Sequence, residues 1–152
     1  MISKNNQYLL FSLKDELFGI SVENVIRVVN LEKLIRIPKA PAYVAGALNL
    51  EGNVIPVADL ARKIELGETE ITNNRKVIIL EVFHEDETID VGVLIDEVLD
   101  VVQIGTNLLP PPLENMGFDT NTLEGMYKVE DDFYMILSAH KVFEKELASL
   151  VH

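Results

Sequence analysis

Carboxylates are the reactive side chains that this sequence supplies in excess, since its 152 residues include 25 Asp and Glu but 13 Lys and Arg. Paired carboxylates act as general acid and base when burial or a like charge raises one pKa. The candidates are Glu51, Asp59, Asp96, Asp100, Asp131 and Asp132. Asp131 and Asp132 lie in a predicted hairpin turn and Asp59 at a predicted helix start, where acids make local hydrogen bonds. We therefore interpret them as surface groups.

Other reactive patterns are missing from the sequence. It contains no cysteine, which excludes disulfides and thiolate metal sites. His84, His140 and His152 form no H-x-x-x-H pair, and the acidic runs 85–87 and 96–100 do not fit a calcium-binding loop. There is no G-x-S-x-G elbow and no glycine-rich phosphate loop. We therefore expect no catalytic residue, no metal and no cofactor.

The net charge of −12 narrows the range of partners, because an acidic chain repels phosphate backbones and anionic lipid. The densest basic stretch, residues 33–39, holds only Lys33, Arg36 and Lys39. The first 13 residues lack the apolar region and cleavage site of a signal peptide, and no apolar run approaches ~18 residues. We expect a cytoplasmic protein that neither binds nucleic acid nor inserts into a membrane.

Turn residues between short β-branched runs predict a mainly β chain. Hairpin turns are expected at 14–15, 84–87 and 130–132. Because these turns pair strands that are neighbours in sequence, we predict antiparallel sheets, and the strand spacing favours small barrels.

Few helices are expected. One helical turn is predicted within 42–48, after Pro41, and a short helix after the capping residue Asp59. Ser138 begins a last helix whose apolar residues recur at helical spacing. These are Ala139, Val142, Phe143, Leu147, Leu150 and Val151. This helix either packs back on the barrels or holds a partner.

An internal repeat organises the chain. FGISVENVIRVV (18–29) aligns with VGVLIDEVLDVV (91–102), and VAGALNLEGNVIPVAD (44–59) aligns with LEGMYKVEDDFYMILS (123–138). Between these blocks, RIPKAP (36–41) corresponds to LLPPP (108–112). We predict a single domain over 1–152 that contains two related lobes, near 8–64 and 77–143, joined by a polar linker near 66–76.

The segment RIPKAPAYVAGALNLEGNVIPVADLARKI (36–64) resembles the core of the CheW-like domain family. The family pattern has Arg-Ile-Pro, a small residue and Pro, Gly, Asn-Leu-Arg-Gly, Pro-Val and Asp-Leu. The match extends upstream through 18–29 and includes 92–102, 108–112 and 123–137 downstream, so it covers nearly the whole chain. The resemblance implies two intertwined five-stranded SH3-like barrels with exchanged strands, short helices and no enzymatic activity.

The resemblance also implies partners. The family bridges chemoreceptors, the methyl-accepting chemotaxis proteins, to the histidine kinase CheA in bacterial chemotaxis. One face of the first barrel is expected to meet the CheA regulatory domain, and a mostly apolar groove between the barrels to take the receptor's helical tip. The chain has no length left for a kinase or receiver domain. We therefore expect a stand-alone adaptor recruited to membrane-associated receptor arrays.

The partner-binding candidates lie in the predicted third strand and the following turn. They are Val25, Arg27, Val28, Gly46, Asn49, Glu51 and Gly52. By strand parity, Val25 and Val28 should face opposite sides, with Arg27 exposed. Gly46 either admits a partner helix or packs internally, and Asn49 either shapes the turn or bonds a partner.

Glu51 departs from the family pattern, which has Arg at this position, and the change reverses the charge. A partner contact made by the family's Arg would become repulsive. Three interpretations remain open. The partner carries a compensating base, or the chain uses another receptor class, or Glu51 lies on a solvated hairpin without a contact.

Two other function classes remain as alternatives. A small β-barrel that binds a ligand or an oligonucleotide would need exposed aromatic residues interleaved with bases. A hydrolase with two carboxylates is a more distant alternative, because no buried carboxylate pair is evident in the sequence.

Overall fold

The computed structural model describes residues 6–72, 74–105, 108–110 and 120–144. In these residues it contains ten strands and two short α-helices, with 3₁₀ turns at Val22–Asn24 and Thr120–Thr122. The strands are β1 (Gln7–Leu13), β2 (Glu16–Ser21), β3 (Val25–Asn30), β4 (Val44–Leu50), β5 (Asn53–Ala58), β6 (Lys76–His84), β7 (Glu87–Ile95), β8 (Glu97–Gln103), β9 (Leu123–Val129) and β10 (Asp132–Leu137). The helices are α1 (Leu60–Lys63) and α2 (Ala139–Phe143).

The strands form two five-stranded sheets, and each sheet takes strands from both halves of the chain. Barrel I has the order β8-β1-β2-β10-β9, and barrel II has the order β3-β6-β7-β5-β4. The β1–β2 hairpin thus lies among strands of the second half, and the β6–β7 hairpin among strands of the first. The predicted mainly β architecture with two five-stranded sheets is confirmed.

Two strand pairs are parallel, so the prediction of purely antiparallel sheets is wrong. β10 runs parallel to β2, with Ile136 opposite Gly19, and β5 runs parallel to β7, with Val57 opposite Gly92. Because each hairpin joins the sheet of the other half, strands that are remote in sequence become neighbours. Parallel pairs require such long connections, which local hairpin signals cannot reveal.

The hairpin turns lie where the sequence predicted them. Two-residue turns join β1 to β2, β4 to β5, β6 to β7 and β9 to β10. Their first residues have φ values between 53° and 56°; these are Lys14, Glu51, Glu85 and Glu130. A positive φ at this position matches the right-handed twist of the paired strands.

The exchanged strands are buried on both faces. From β1, Leu9, Phe11 and Leu13 enter a core shared by the two barrels. Tyr8 and Leu10, on the opposite face of β1, fill the interior of barrel I. β6 repeats this arrangement, because Ile78 lies in the shared core while Val77 and Ile79 face the interior of barrel II. The buried residues of that interior are Leu31, Leu48, Ile55, Val57, Val77, Ile79 and Leu94. Burial on both faces explains the continuous apolar runs of these strands.

The segment 42–48, where one helical turn was predicted, forms no helix. A single hydrogen-bonded turn follows Pro41, in which the Val44 N–H donates to Pro41 O at 2.9 Å, and β4 then takes the rest of the segment. Gly46 and Ala47 lie against the backbone of Ile35, which bridges Ala47 in antiparallel fashion. An extended backbone is needed for this bridge, so the chain continues as a strand after the turn.

The last helix packs on the barrels through its described part. Ala139, Val142 and Phe143 are buried in the shared core, in agreement with the first of the two interpretations. The predicted contacts of Leu147, Leu150 and Val151 lie outside the described residues.

Asp59 and Ser138 cap equivalent helices, as the repeat predicts. Asp59 Oδ1 accepts from the Arg62 backbone N–H at 3.4 Å, and Ser138 Oγ accepts from that of Lys141 at 3.2 Å. Asp59 has a second partner that the sequence did not indicate, since Oδ2 accepts from the buried Thr69 N–H at 2.9 Å. The carboxylate therefore also attaches the segment that follows α1 to barrel II.

We expect Asp59→Ala to lower the free energy of unfolding by about 2–4 kcal/mol, because it removes a cap and leaves a buried N–H unpaired. Ser138→Ala loses only a cap and should cost about 1 kcal/mol. Urea unfolding followed by circular dichroism measures both values. Equal losses of unfolding free energy in the two variants would show that the hydrogen bond from the Thr69 N–H to Asp59 contributes nothing to stability.

Candidate partner-binding surface

The candidate residues gather along one side of barrel II. Val25, Arg27 and Val28 belong to β3, whereas Gly46 and Asn49 belong to β4, and Glu51 and Gly52 form the β4–β5 turn. β3 and β4 are the two edge strands of this sheet. Curling of the sheet brings its edges toward each other, so Arg27 meets Glu51, and Val28 and Asn49 line one groove. Val25 and Gly46 instead pack inside the molecule.

An ion pair crosses between the two edges. Arg27 Nη1 lies 3.8 Å from Glu51 Oε1, and the two side chains are 45% and 83% exposed. The exposure of Arg27 agrees with its prediction. Such an exposed pair stabilises a fold by only about 0–1 kcal/mol. Glu51 thus has a basic partner, Arg27, within its own chain. None of the three interpretations drawn from the sequence included such a partner.

A β-bulge changes the direction of the β3 side chains. Val25 pairs with Leu80 and Arg27 with Ile79, so the register shifts at Ile26. Val25 and Val28 consequently pack against the same shared core, both half-buried. The predicted opposite orientation of the two valines is wrong, because the extra residue reverses the alternation.

Gly46 is buried, which favours its packing interpretation. Its φ is +156°, and a Cβ there would lie 2.7 Å from Ile35 O and 3.2 Å from Leu34 Cβ. Gly125 occupies the equivalent place in barrel I, where a Cβ would lie 2.7 Å from Leu109 O. Gly46 thus admits a neighbouring backbone from its own chain, and a part for it in partner binding stays a prediction.

Asn49 and Gly52 shape the β4–β5 turn. Asn49 Oδ1 accepts from the Gly52 N–H at 3.0 Å, which supports the turn interpretation of Asn49. Both residues are exposed, so this bond leaves a partner contact possible. Gly52 has φ +89°, and nothing lies within 4 Å of the position that a Cβ would take.

A groove of about 970 Å³ runs beside these residues. Its lining is Val28, Val29, Asn30, Glu32, Lys33, Ile35, Leu48, Asn49, Leu50, Lys76 and Val98. Val98 belongs to β8 of barrel I and the other lining residues to barrel II or its connections, so both barrels contribute. Apolar walls with charged margins suit an amphipathic helix.

Exposed apolar residues extend this surface beyond the sequence candidates. Val54 is 65% exposed in β5, opposite Asn49, and Ile26 is 48% exposed at the bulge. Ile35 and Val98 are also partly exposed along the groove. Strand alternation in the sequence could have indicated that Val54 is exposed, since Ile55 and Val57 are buried. The place of Val98 beside the groove could not be found in this way, because it depends on how the two sheets are arranged.

Several carboxylates that were considered for catalysis have structural partners. Asp96 pairs with Arg75, and its Oδ2 accepts from the Lys14 backbone N–H at 3.0 Å. Asp59 caps α1, as described above. In the described part of the chain, no three His, Asp or Glu residues gather as a metal site would require.

The clearest electrostatic perturbation lies in barrel I, away from the candidate residues. Tyr8 Oη donates to Glu124 Oε1 at 3.5 Å. Burial raises the pKa of both groups, and for Glu124 the bond from Tyr8 and the charge of Lys141 act in the opposite direction.

Comparisons with known proteins agree on one relationship. The CheW-like domain model matches residues 7–147. The chain is 31% identical to the chemotaxis protein CheW of Bacillus subtilis, over 95% of this chain and 91% of that protein. It is 28% identical to the chemotaxis protein CheW of Treponema pallidum, over 96% and 87%. The crystal structure of the scaffolding protein TtCheW from Thermoanaerobacter tengcongensis superposes with a TM-score of 0.79 at 30% identity, covering 91% and 88%.

We expect Gly46→Ala to lower the free energy of unfolding by about 2–4 kcal/mol, because the added methyl group meets the Ile35 carbonyl in a strained backbone conformation. Gly105→Ala is the control, since nothing lies within 4 Å of its Cβ position, and it should change stability by less than ~0.5 kcal/mol. Urea unfolding measures both variants. A fully stable Gly46→Ala protein would refute the packing interpretation.

Proposed function

The chain belongs to the CheW-like domain family, and from this membership we propose that it is a non-enzymatic adaptor that couples chemoreceptors to the histidine kinase CheA in chemotaxis. The single observation that carries the proposal is the match of the CheW-like domain model to residues 7–147. The exposed surface of barrel II, where an apolar groove lies beside a charged hairpin, supports it. An adaptor needs two contact regions that can be occupied together. The groove and the hairpin supply two such regions side by side.

We assign the groove to the helical tip of the chemoreceptor. Val28, Ile35, Leu50 and Val98 offer apolar contacts, and Lys33 lies at the margin. A helix recognised in this way buries one apolar face and leaves its polar face at the rim. The contribution of Val98 from the other barrel makes the site depend on the relative arrangement of the two sheets.

We assign the β4–β5 hairpin of barrel II, the barrel that holds β3, β4 and β5 of the first lobe, to the CheA regulatory domain. Among the described residues, Val54 is the large hydrophobic side chain with the highest exposed fraction, at 65%. Arg27 and Glu51 add charges on the same side of barrel II. An apolar anchor with a charged rim is the usual composition of an energetically important contact between proteins.

Recruitment to the membrane would then occur through the receptor. Neither helix in the described part of the chain has the length and apolar character that crossing a bilayer requires. We propose that the protein reaches membrane-associated receptor arrays by binding the cytoplasmic receptor tip.

The ligand- or oligonucleotide-binding alternative has weaker support. Phe133 is 45% exposed, and Lys128 Nζ lies 5.6 Å from the centre of its ring, which is the kind of aromatic–base pair that this alternative needs. However, the adjoining turn carries Glu130, Asp131 and Asp132, whose charges oppose a phosphate backbone. The family membership also favours the adaptor.

We expect Val54→Asp to weaken binding of the purified CheA regulatory domain at least about tenfold, because it replaces an apolar anchor with a charge that loses hydration in the contact. Binding of a receptor-tip helical hairpin should change by less than about twofold. Val98→Asp should produce the opposite pattern, since Val98 lines the groove. Titration calorimetry measures each affinity.

Ile71→Asp is the matched control, because Ile71 is 52% exposed in the connection between the halves and outside both proposed contacts. It should leave both affinities unchanged. If Val54→Asp behaves like Ile71→Asp, the hairpin is not the kinase contact. Circular dichroism confirms that each variant is folded.

A further inference from the structure

We propose that Arg27 and Glu51 form a polarised specificity pair, in which the outward acid selects a CheA regulatory domain that offers Lys or Arg to the β4–β5 turn. This inference rests on the proposed function and adds to it the chemistry of the matching partner. It also decides among the interpretations of Glu51, because it assigns a compensating base to the kinase domain and gives Arg27 a supporting role.

The geometry orients the pair. Glu51 is the first residue of a two-residue turn and has φ +53°, and its side chain is 83% exposed. Arg27 lies on β3, at the opposite edge of the sheet, with a side chain that is 45% exposed. The acid is therefore the outer end of the pair and the base the inner end. A partner that approaches the hairpin tip meets negative charge first.

The separation of the two groups leaves Glu51 able to bind. The 3.8 Å distance between Arg27 Nη1 and Glu51 Oε1 is at the long end for an ion pair. At such exposure the pair adds little to folding, so stability alone does not account for it. Arg27 does favour a Glu51 position near β3, which reduces the conformational freedom that a partner would have to restrict.

The internal repeat does not require this pair. The position equivalent to Arg27 in barrel I is Asp100, and the position equivalent to Glu51 is Glu130. Barrel I therefore has two acidic residues at the positions where barrel II has one basic and one acidic residue. The combination of base and acid is therefore particular to the surface that we assign to the kinase.

Charge at the turn itself carries the discrimination. Lys33, Arg36 and Lys39 are exposed on the segment that follows β3, together with Glu32. These bases would attract an acid on a partner, so rejection of such a partner depends on Glu51. A kinase domain that suits the Arg of the family pattern would present an acid to this turn. Like charges opposed across an interface cost affinity, so such a domain should be rejected.

The test compares the wild type with Glu51→Arg and with the double variant R27E/E51R. One probe is the CheA regulatory domain of the same organism. The second is a CheA regulatory domain whose own adaptor carries Arg at this turn. We expect Glu51→Arg to bind the first probe at least about tenfold more weakly. The double variant rebuilds an ion pair of reversed polarity, so its Tm should lie within about 2 °C of the wild type.

The double variant distinguishes selection of a partner by the polarity of the pair from an effect in which polarity is irrelevant. If polarity selects the partner, it binds the first probe as weakly as Glu51→Arg and the second probe more tightly than the wild type does. Glu130→Arg is the matched control, because Glu130 has the same turn position and φ +55° in barrel I and the change in net charge is equal. It should leave both affinities unchanged.

The outcomes distinguish this inference from the proposed function. Wild-type affinity of the double variant for the first probe would overturn the inference alone, since polarity would then be irrelevant. An equal loss with Glu130→Arg would also overturn it, because net charge would explain the effect. If the wild type binds neither probe, the proposed kinase contact itself is refuted.

Discussion

Parallel pairing of β5 with β7 and of β10 with β2 joins the two halves of the chain into one structure. Each half gives its first hairpin to the sheet of the other, and the parallel contacts are where the exchanged hairpins dock. Gly19 and Gly92 lie at these contacts, where a Cβ would come within 2.6 Å of Ile136 Cδ1 across the β10–β2 pair and 3.2 Å of Val57 Cγ2 across the β5–β7 pair. The shared core between the barrels then fills with side chains from both halves, so neither barrel is complete without the other half.

The candidate surface follows from this exchange. The donated β6–β7 hairpin occupies the middle of barrel II and leaves β3 and β4 at its edges. Curvature brings these edges together, which allows Arg27 to reach Glu51 and forms the groove that Val98 borders from barrel I. A scaffold of this kind presents contacts fixed by a rigid core, which suits binding because little conformational freedom is lost.

The sequence predicted what depends on local signals. The places of the hairpin turns and the caps Asp59 and Ser138 were evident, because each rests on residue types a few positions apart. Predictions that depend on distant contacts failed. The parallel pairs arise from hairpin exchange, the bulge at Ile26 reverses the β3 alternation, and β4 is extended because it bridges Ile35. The partner of Glu51 was also missed, since Arg27 lies 24 positions away and meets it only through the curled sheet.

Backbone chemical-shift mapping during separate titrations with the CheA regulatory domain and with a receptor-tip helical hairpin tests the central claim most directly. The account predicts that the kinase domain perturbs amides of the β4–β5 hairpin and β3. The receptor tip should instead perturb residues along the groove, including Val98, while the β9–β10 turn stays unchanged in both titrations. Perturbations confined to barrel I, or the same set of amides for both partners, would contradict it.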